Sequence, residues 1–124
     1  MGKSVHDSVL DAALAVIATG VNYTFTSAEP ANYAGIAAVT IASTTLTAGI
    51  GDVSYAKANG TSGRKLTIAA QTGLIPAANG TVTHACVDDG TTLLAVTTVT
   101  SQAVTTVQAW NVPAVIILQI ADPT

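Results

Sequence analysis

The chain has 124 residues, a net charge of −3 and only four Lys and Arg residues, so it lacks the basic face that binding to nucleic acid or an anionic membrane surface requires. Charged residues make up 9% of the chain and apolar residues 49%, which leaves a free monomer poorly protected against self-association. We therefore expect a homo-oligomer or a subunit of a larger assembly. The alternative is a compact monomer with a neutral, threonine-rich surface.

The length of the chain predicts a single domain, residues 1–124, with a helix in 1–20 and a β domain in 21–124. A chain of this length can bury a core without disulfides, and its one cysteine cannot form an internal disulfide. No secretory signal pattern opens the sequence. The most apolar run is "VPAVIILQI" (112–120), which is well short of the ~20 residues that span a bilayer, so we expect no membrane partner.

The segment before Gly20 has the period of an amphipathic helix. We expect Ser4 to cap this helix, Asp7 to place a negative charge in its first turn, and Gly20 to end it. Its apolar stripe consists of Val9, Leu10, Ala13, Leu14, Val16 and Ile17. A helix this short is marginal alone, so the stripe needs a partner, either the sheet of the same domain or a neighbouring subunit.

After Gly20 the apolar residues alternate with polar ones, which indicates half-buried strands. The predicted strands are 21–27, 37–42, 44–48, 52–56, 65–71, 81–89, 92–99, 103–110 and 114–122. No helical segment separates the later strands, which argues against a parallel sheet. The pattern predicts a mainly β fold, an antiparallel β-sandwich or small barrel of about seven to nine short strands with one N-terminal helix. The last strand is apolar on both faces, so we expect it to be central or covered by a neighbouring subunit.

The stretch "GTVTHACVDDG" (80–90) concentrates the residues that could carry chemistry. In a strand His84 and Cys86 lie on one face, and Asp88 joins them if the strand runs that far. A metal site is one interpretation, but the chain has no second cysteine and only one other histidine. The alternative is a strand with a buried Cys86 that ends in an Asp-Asp-Gly hairpin turn. We favour the hairpin and expect neither a metal nor another cofactor.

No set of catalytic residues is recognisable in the sequence. It contains no G-x-S-x-G motif, and "GTSGRK" lacks the spacing of a phosphate-binding loop. Since no acid, base and nucleophile can be assembled, we expect that the protein is not an enzyme. The aromatic residues Tyr23, Tyr33, Tyr55 and Trp110 could form a sugar-stacking platform, but they are scattered along the chain, which favours core or interface positions.

Several segments resemble those of a group of small structural proteins encoded by tailed bacteriophages. These are the opening "VHDSVLDAAL", the "GDVS…SGRK" segment, the "THACVDDGTTLL" hairpin and the terminal "IADP", and the resemblance spans nearly the whole chain. It implies a non-enzymatic virion component made in the bacterial cytoplasm. The expected role is head decoration, or cement, in which many copies bind and stabilise the major capsid protein.

The resemblance leaves other roles open, including a tail or neck component that forms rings with copies of itself. Less favoured are a carbohydrate-binding module on the virion surface, with Trp110 exposed in a groove, and a metal-dependent enzyme at residues 84–89. The candidate contact elements are the helix stripe and the Gly-rich loop 49–63. The candidate interface residues are Val9, Leu10, Val16, Ile17, Tyr33, Tyr55, Arg64, Lys65 and Trp110.

Overall fold

The computed structural model describes residues 5–49, 54–59 and 63–121, and these form a mainly β fold. Helix α1 (Asp7–Ile17) is followed by β1 (Asn22–Thr26), a 3-10 turn (Tyr33–Gly35) and the short helix α2 (Ile36–Val39). The remaining strands are β2 (Thr40–Thr45), β3 (Tyr55–Asn59), β4 (Arg64–Ile68), β5 (Gln71–Leu74), β6 (Gly80–Asp88), β7 (Leu93–Val104), β8 (Trp110–Val112) and β9 (Val115–Ile120). The mainly β fold with an N-terminal helix is thus confirmed.

The strands form three sheets in which every pair is antiparallel. The four-stranded sheet has the order β2-β1-β6-β7, the three-stranded sheet the order β3-β4-β9, and β5 pairs with β8. The arrangement agrees with the predicted small β-sandwich or barrel. Most connections are short, as antiparallel neighbours permit.

The core lies between the inner faces of the sheets and the inner side of α1. Its largest fully buried side chains include Tyr23, Phe25, Leu14, Leu66 and Ile68. Burying an aliphatic or aromatic side chain of this size contributes about 1.5–3 kcal/mol. Helix α1 contacts β4 and β7, so the sheet of the same domain covers the inner side of the helix.

The ends of α1 differ in detail from the prediction. The helix begins at Asp7, and His6 caps it by accepting a hydrogen bond from the Ser8 backbone N–H, whereas the predicted cap Ser4 lies outside the described residues. Gly20 follows the helix, but not as a residue with positive φ. A Cβ atom at Gly20 would collide with Cγ1 of Val87, so glycine is required here for close approach to β6.

Two predicted pairs of strands are organised differently. Residues 37–42 and 44–48 form α2 followed by the single strand β2, and the alanine-rich "IAAV" sequence of α2 favours the helix. The predicted break between 92–99 and 103–110 does not end the strand: β7 runs from Leu93 to Val104, with a shift of its register against β6 between Thr98 and Gln102. Residues 105–109 of the predicted strand 103–110 form a turn before β8 instead. No Gly, Pro, Asn or Asp interrupts that segment, so nothing in it ends the strand. Strand β3 lies a few residues later than the predicted 52–56, of which 52 and 53 lie outside the described residues.

Strand β9 is an edge strand, so the prediction of a central position is wrong. It pairs with β4 at the end of the three-stranded sheet, and β7 passes close to it without a ladder of hydrogen bonds. Ile117 points inward and is 3% exposed, whereas Ile116 and Leu118 are 46% and 37% exposed. The alternative prediction, that a neighbouring subunit covers this strand, stays open.

Candidate functional site: interaction surfaces and two cavities

The predicted helix stripe is divided between two sides of α1. Leu10 and Ile17 are buried against the domain's own core, so the expectation that they face a partner is wrong. Val9 and Val16 lie on the outer side, and each is 59% exposed. The stripe is wider than one helix face can bury, and only the positions nearest the sheet are covered. The interface role of Val9 and Val16 stays a prediction.

Arg64 is engaged within the chain. Its Nε lies 2.9 Å from one carboxylate oxygen of Asp11, and Nζ of Lys57 lies 3.2 Å from the other. The hydrogen bond from Arg64 is the main reason that the pKa of Asp11 lies below its usual value. The three charges fasten α1 onto β3 and β4. Lys65, the other member of the predicted basic pair, is half-buried on the opposite face of β4.

Tyr55 is a core residue, and its predicted place in an interface is wrong. Its side chain is 1% exposed, and its hydroxyl donates a hydrogen bond of 2.8 Å to the carbonyl oxygen of Gly20. Burial raises its pKa to about 12. The prediction missed this because alternation places a residue on a face but does not tell which face the helix will cover.

The remaining predicted aromatic residues do not form one platform. Trp110 is half-buried, and its ring packs edge-on against Phe25 with centroids 4.8 Å apart. Tyr33 is 41% exposed on the connection between β1 and β2. It lines cavities different from those of Trp110. A sugar-stacking surface built from both residues is therefore not present.

The stretch that contains His84, Cys86 and Asp88 forms the predicted strand and hairpin. Strand β6 ends at Asp88, Gly90 has φ +95°, and β7 returns antiparallel. The prediction that Cys86 is buried is confirmed, and burial together with the nearby Asp88 charge raises its pKa to about 11. Among the described residues, no three His, Cys, Asp or Glu side chains lie where they could jointly hold a metal ion.

One continuous segment of the chain carries no charge. The segment from Gly90 to Ala121 contains no Asp, Glu, Lys, Arg or His, and it forms β7, β8 and β9. We call these residues the neutral side. Its exposed large apolar side chains are Val107, Ile116 and Leu118, and Val107 is 91% exposed. A surface without ions can be buried without the cost of desolvating charges, and the centres of protein interfaces are depleted of charged residues for this reason.

A cleft of about 480 Å³ opens on the neutral side, between β7 and the segment of β8 and β9. Phe25 and Trp110 line it together with Val99, Val112 and Ile116. In the described residues, β7 and β9 are edges of their sheets, so backbone groups on both sides of the cleft lack a ladder partner. Unpaired apolar edges of this kind are sites at which another chain can add.

A second cavity, of about 440 Å³, lies between the four-stranded sheet and the connection from β1 to β2. We call residues 27–39 the crossover and this space the crossover cavity. The side chains from the sheet are polar, and they include Asn22, Thr24 and Asp88. The crossover contributes Tyr33 and Ile36.

Of the residues that make these surfaces, the sequence-based candidates for an interface include Tyr33 and Trp110 but not the others. The neutral side could have been predicted, because 32 successive residues without charge stand out in the sequence. The candidate residues came instead from the helix, the loop and the aromatic residues. The crossover cavity could not have been predicted from the sequence, since its position depends on how the crossover packs against the sheet. The loop 49–63, also a candidate, is described only at Gly49, Ser54–Asn59 and Gly63.

Comparisons with protein-family models, with curated proteins and with solved structures give no match for this chain. The resemblance to phage structural proteins therefore stays a prediction from sequence. In the described part of the chain, no helix is long and apolar enough to cross a membrane.

Proposed function

We propose that this protein is a structural component of a tailed-bacteriophage virion, and specifically a decoration protein that binds the major capsid protein and stabilises the shell. It is made in the bacterial cytoplasm and carried in the particle. The proposal builds on the sequence resemblance, and the neutral side is the structural observation that carries it.

The neutral side suits permanent contact with another protein surface. It presents Val107, Ile116 and Leu118 to solvent on a segment that has no charge of its own, although Lys65 lies on the neighbouring strand β4. The cleft beside β9 adds unpaired strand edges to these apolar side chains. A lattice that holds many copies turns a modest contact per copy into strong retention, because binding at adjacent sites is multivalent.

The ion pairs and the turn carboxylate of the described residues lie outside the neutral side and stabilise the fold. Asp11, Lys57 and Arg64 join α1 to its sheet, and Asp89 accepts hydrogen bonds within the hairpin turn. Within the described residues, these charged groups stabilise the domain, and the neutral side brings no charge of its own to a contact with a partner.

The test is co-sedimentation of the purified chain with expanded phage heads that lack it. We expect saturable binding in fixed ratio to the major capsid protein, together with a higher melting temperature of the shell. Failure to bind heads, with rings formed by the chain alone, would contradict the decoration role and favour the tail.

A matched pair of variants tests the contact surface. Ile116→Glu places a charge on the neutral side, and Ile75→Glu places the same charge at an isoleucine that is 61% exposed outside it. We expect Ile116→Glu to weaken head binding at least about tenfold, because the interface must then bury an unpaired charge. Ile75→Glu should bind as the unmodified chain does. Equal binding by both variants would contradict the assignment of the contact to the neutral side.

A further inference from the structure

The crossover cavity has the features of a small-molecule site, and we propose that it binds a neutral carbohydrate through Asp88, Asn22 and Tyr33. This inference does not depend on the proposed virion role. It concerns a different surface, since none of the residues that line the crossover cavity belongs to the neutral side.

The floor of the cavity is built by the register of three strands. Asn22 on β1 is paired with Thr45 on β2 and with Asp88 on β6, and one row further Thr24 is paired with Ser43. Paired residues in antiparallel strands project from the same face, so these five side chains lie side by side. The result is a surface of hydroxyl, amide and carboxylate groups beneath the crossover.

Asp88 is the centre of this floor. It is 3% exposed, and its Oδ1 accepts hydrogen bonds from Nδ2 of Asn22 at 2.8 Å and from the backbone N–H of Gly90 at 2.9 Å. Oδ2 accepts no hydrogen bond from the described residues, and it is not fully buried, so a ligand in the cavity can reach it. Two fixed donors thus orient the carboxylate and leave one oxygen for a ligand group that donates a hydrogen bond.

The chemistry of the lining selects the class of ligand. No Lys, Arg or His contributes to it within the described residues, so an anion would meet Asp88 without a compensating charge. A calcium ion requires six to eight oxygen ligands, usually several carboxylates, and this cavity has only one. Hydroxyl and amide groups that both donate and accept hydrogen bonds match a neutral ligand rich in hydroxyl groups.

The ring of Tyr33 and the volume of the cavity also fit a carbohydrate ligand. The ring of Tyr33 is 41% exposed at the crossover and offers an apolar face with a polar tip. Sugar rings have the complementary form, with apolar C–H faces and hydroxyl edges. A volume of about 440 Å³ lies within the range of small-molecule pockets and accommodates about one or two sugar rings.

The experiment is an NMR titration of the ¹⁵N-labelled chain with glucose, galactose, mannose, N-acetylglucosamine and lactose. We expect at least one sugar to shift the backbone amide signals of Asn22, Thr24 and Asp88 in a saturable manner. Asp88→Asn keeps an oxygen for Asn22 and Gly90 but removes the charge, so it should weaken binding at least about tenfold. Tyr33→Ala should weaken it as well.

Asp89→Asn is the matched control, because Asp89 is the adjacent acid of the same hairpin and does not line the cavity. It should bind sugar as the unmodified chain does. The proposal is overturned if none of the sugars shifts these amides, if Asp88→Asn binds sugar normally, or if calcium or methylammonium shifts them and the sugars do not. Head binding is measured separately, so failure here leaves the result for the virion role unaffected.

Discussion

The two buried tyrosines of the core differ in whether the hydroxyl group has a hydrogen-bond partner. Tyr23 and Tyr55 are each 1% exposed. The hydroxyl of Tyr55 donates to the carbonyl oxygen of Gly20 at 2.8 Å, whereas the hydroxyl of Tyr23 has no hydrogen-bond partner among the described residues. Burial raises the pKa of the Tyr23 phenol well above its usual value, so the group stays protonated and its unmet hydrogen bond costs stability.

The substitution Tyr→Phe should therefore have opposite effects at the two positions. Tyr23→Phe removes a buried unsatisfied hydroxyl and should stabilise the fold by about 1 kcal/mol, while Tyr55→Phe loses a hydrogen bond and should cost about 0.5–1.5 kcal/mol. At ~2.1 cal/mol/K per residue, 124 residues give an unfolding entropy of about 260 cal/mol/K near 60 °C. Each kcal/mol then corresponds to a shift in Tm of about 4 °C.

Differential scanning calorimetry and urea unfolding measure these differences. We expect Tm to rise in Tyr23→Phe, to fall in Tyr55→Phe and to remain unchanged in Tyr33→Phe, where the ring is exposed. The urea m-value should be the same in all three, because the area exposed on unfolding does not change. If Tyr23→Phe is destabilised as much as Tyr55→Phe, the Tyr23 hydroxyl has a partner in the native protein and the reasoning is refuted.

Three further predictions concern other parts of the fold. Gly20→Ala should destabilise the domain by about 1–3 kcal/mol in urea unfolding, because its Cβ would displace Val87; an unchanged midpoint would show that Gly20 does not lie so close to Val87. The pKa of Asp11 is lowered in the folded state. Its contribution to the free energy of unfolding is therefore present above pH 3.8, the usual pKa of the group, and is lost as the pH falls through the folded pKa. Asp11→Asn should therefore lose less stability on acidification than the unmodified chain, and equal acid sensitivity would argue against the bond to Arg64. Cys86, with a pKa of about 11, should resist alkylation at pH 8 until the protein is denatured, whereas rapid labelling of the native chain would contradict its burial.

The fold class was predictable because it depends on local patterns. Alternation between Val21 and Phe25 identified β1, and the Asp-Asp-Gly sequence identified the β6–β7 hairpin. The order of strands within the sheets was not predictable, since alternation fixes faces but not neighbours. The position of β9 at an edge followed from that order, and its two apolar faces had suggested a central strand instead.

The candidate interaction residues were predicted less well for a related reason. Leu10 and Val9 are adjacent apolar residues of one helix, and only the packing of α1 against β4 decides that Leu10 is buried and Val9 exposed. The sequence suggested that Arg64 is a basic residue on a flexible loop. Its partner Asp11 lies 53 positions away in the chain, so the ion pair was not predicted. Contacts over such distances are set by tertiary structure and leave no local signal.

The most direct test of the proposed function is to count copies of this chain in purified virions of the phage that encodes it, by quantitative mass spectrometry with isotope-labelled peptides. The account predicts a fixed ratio to the major capsid protein that remains after high-salt washing, because the neutral side provides the contact and salt does not screen apolar contacts. Absence of the chain from particles while it is abundant in the infected cell would contradict the account.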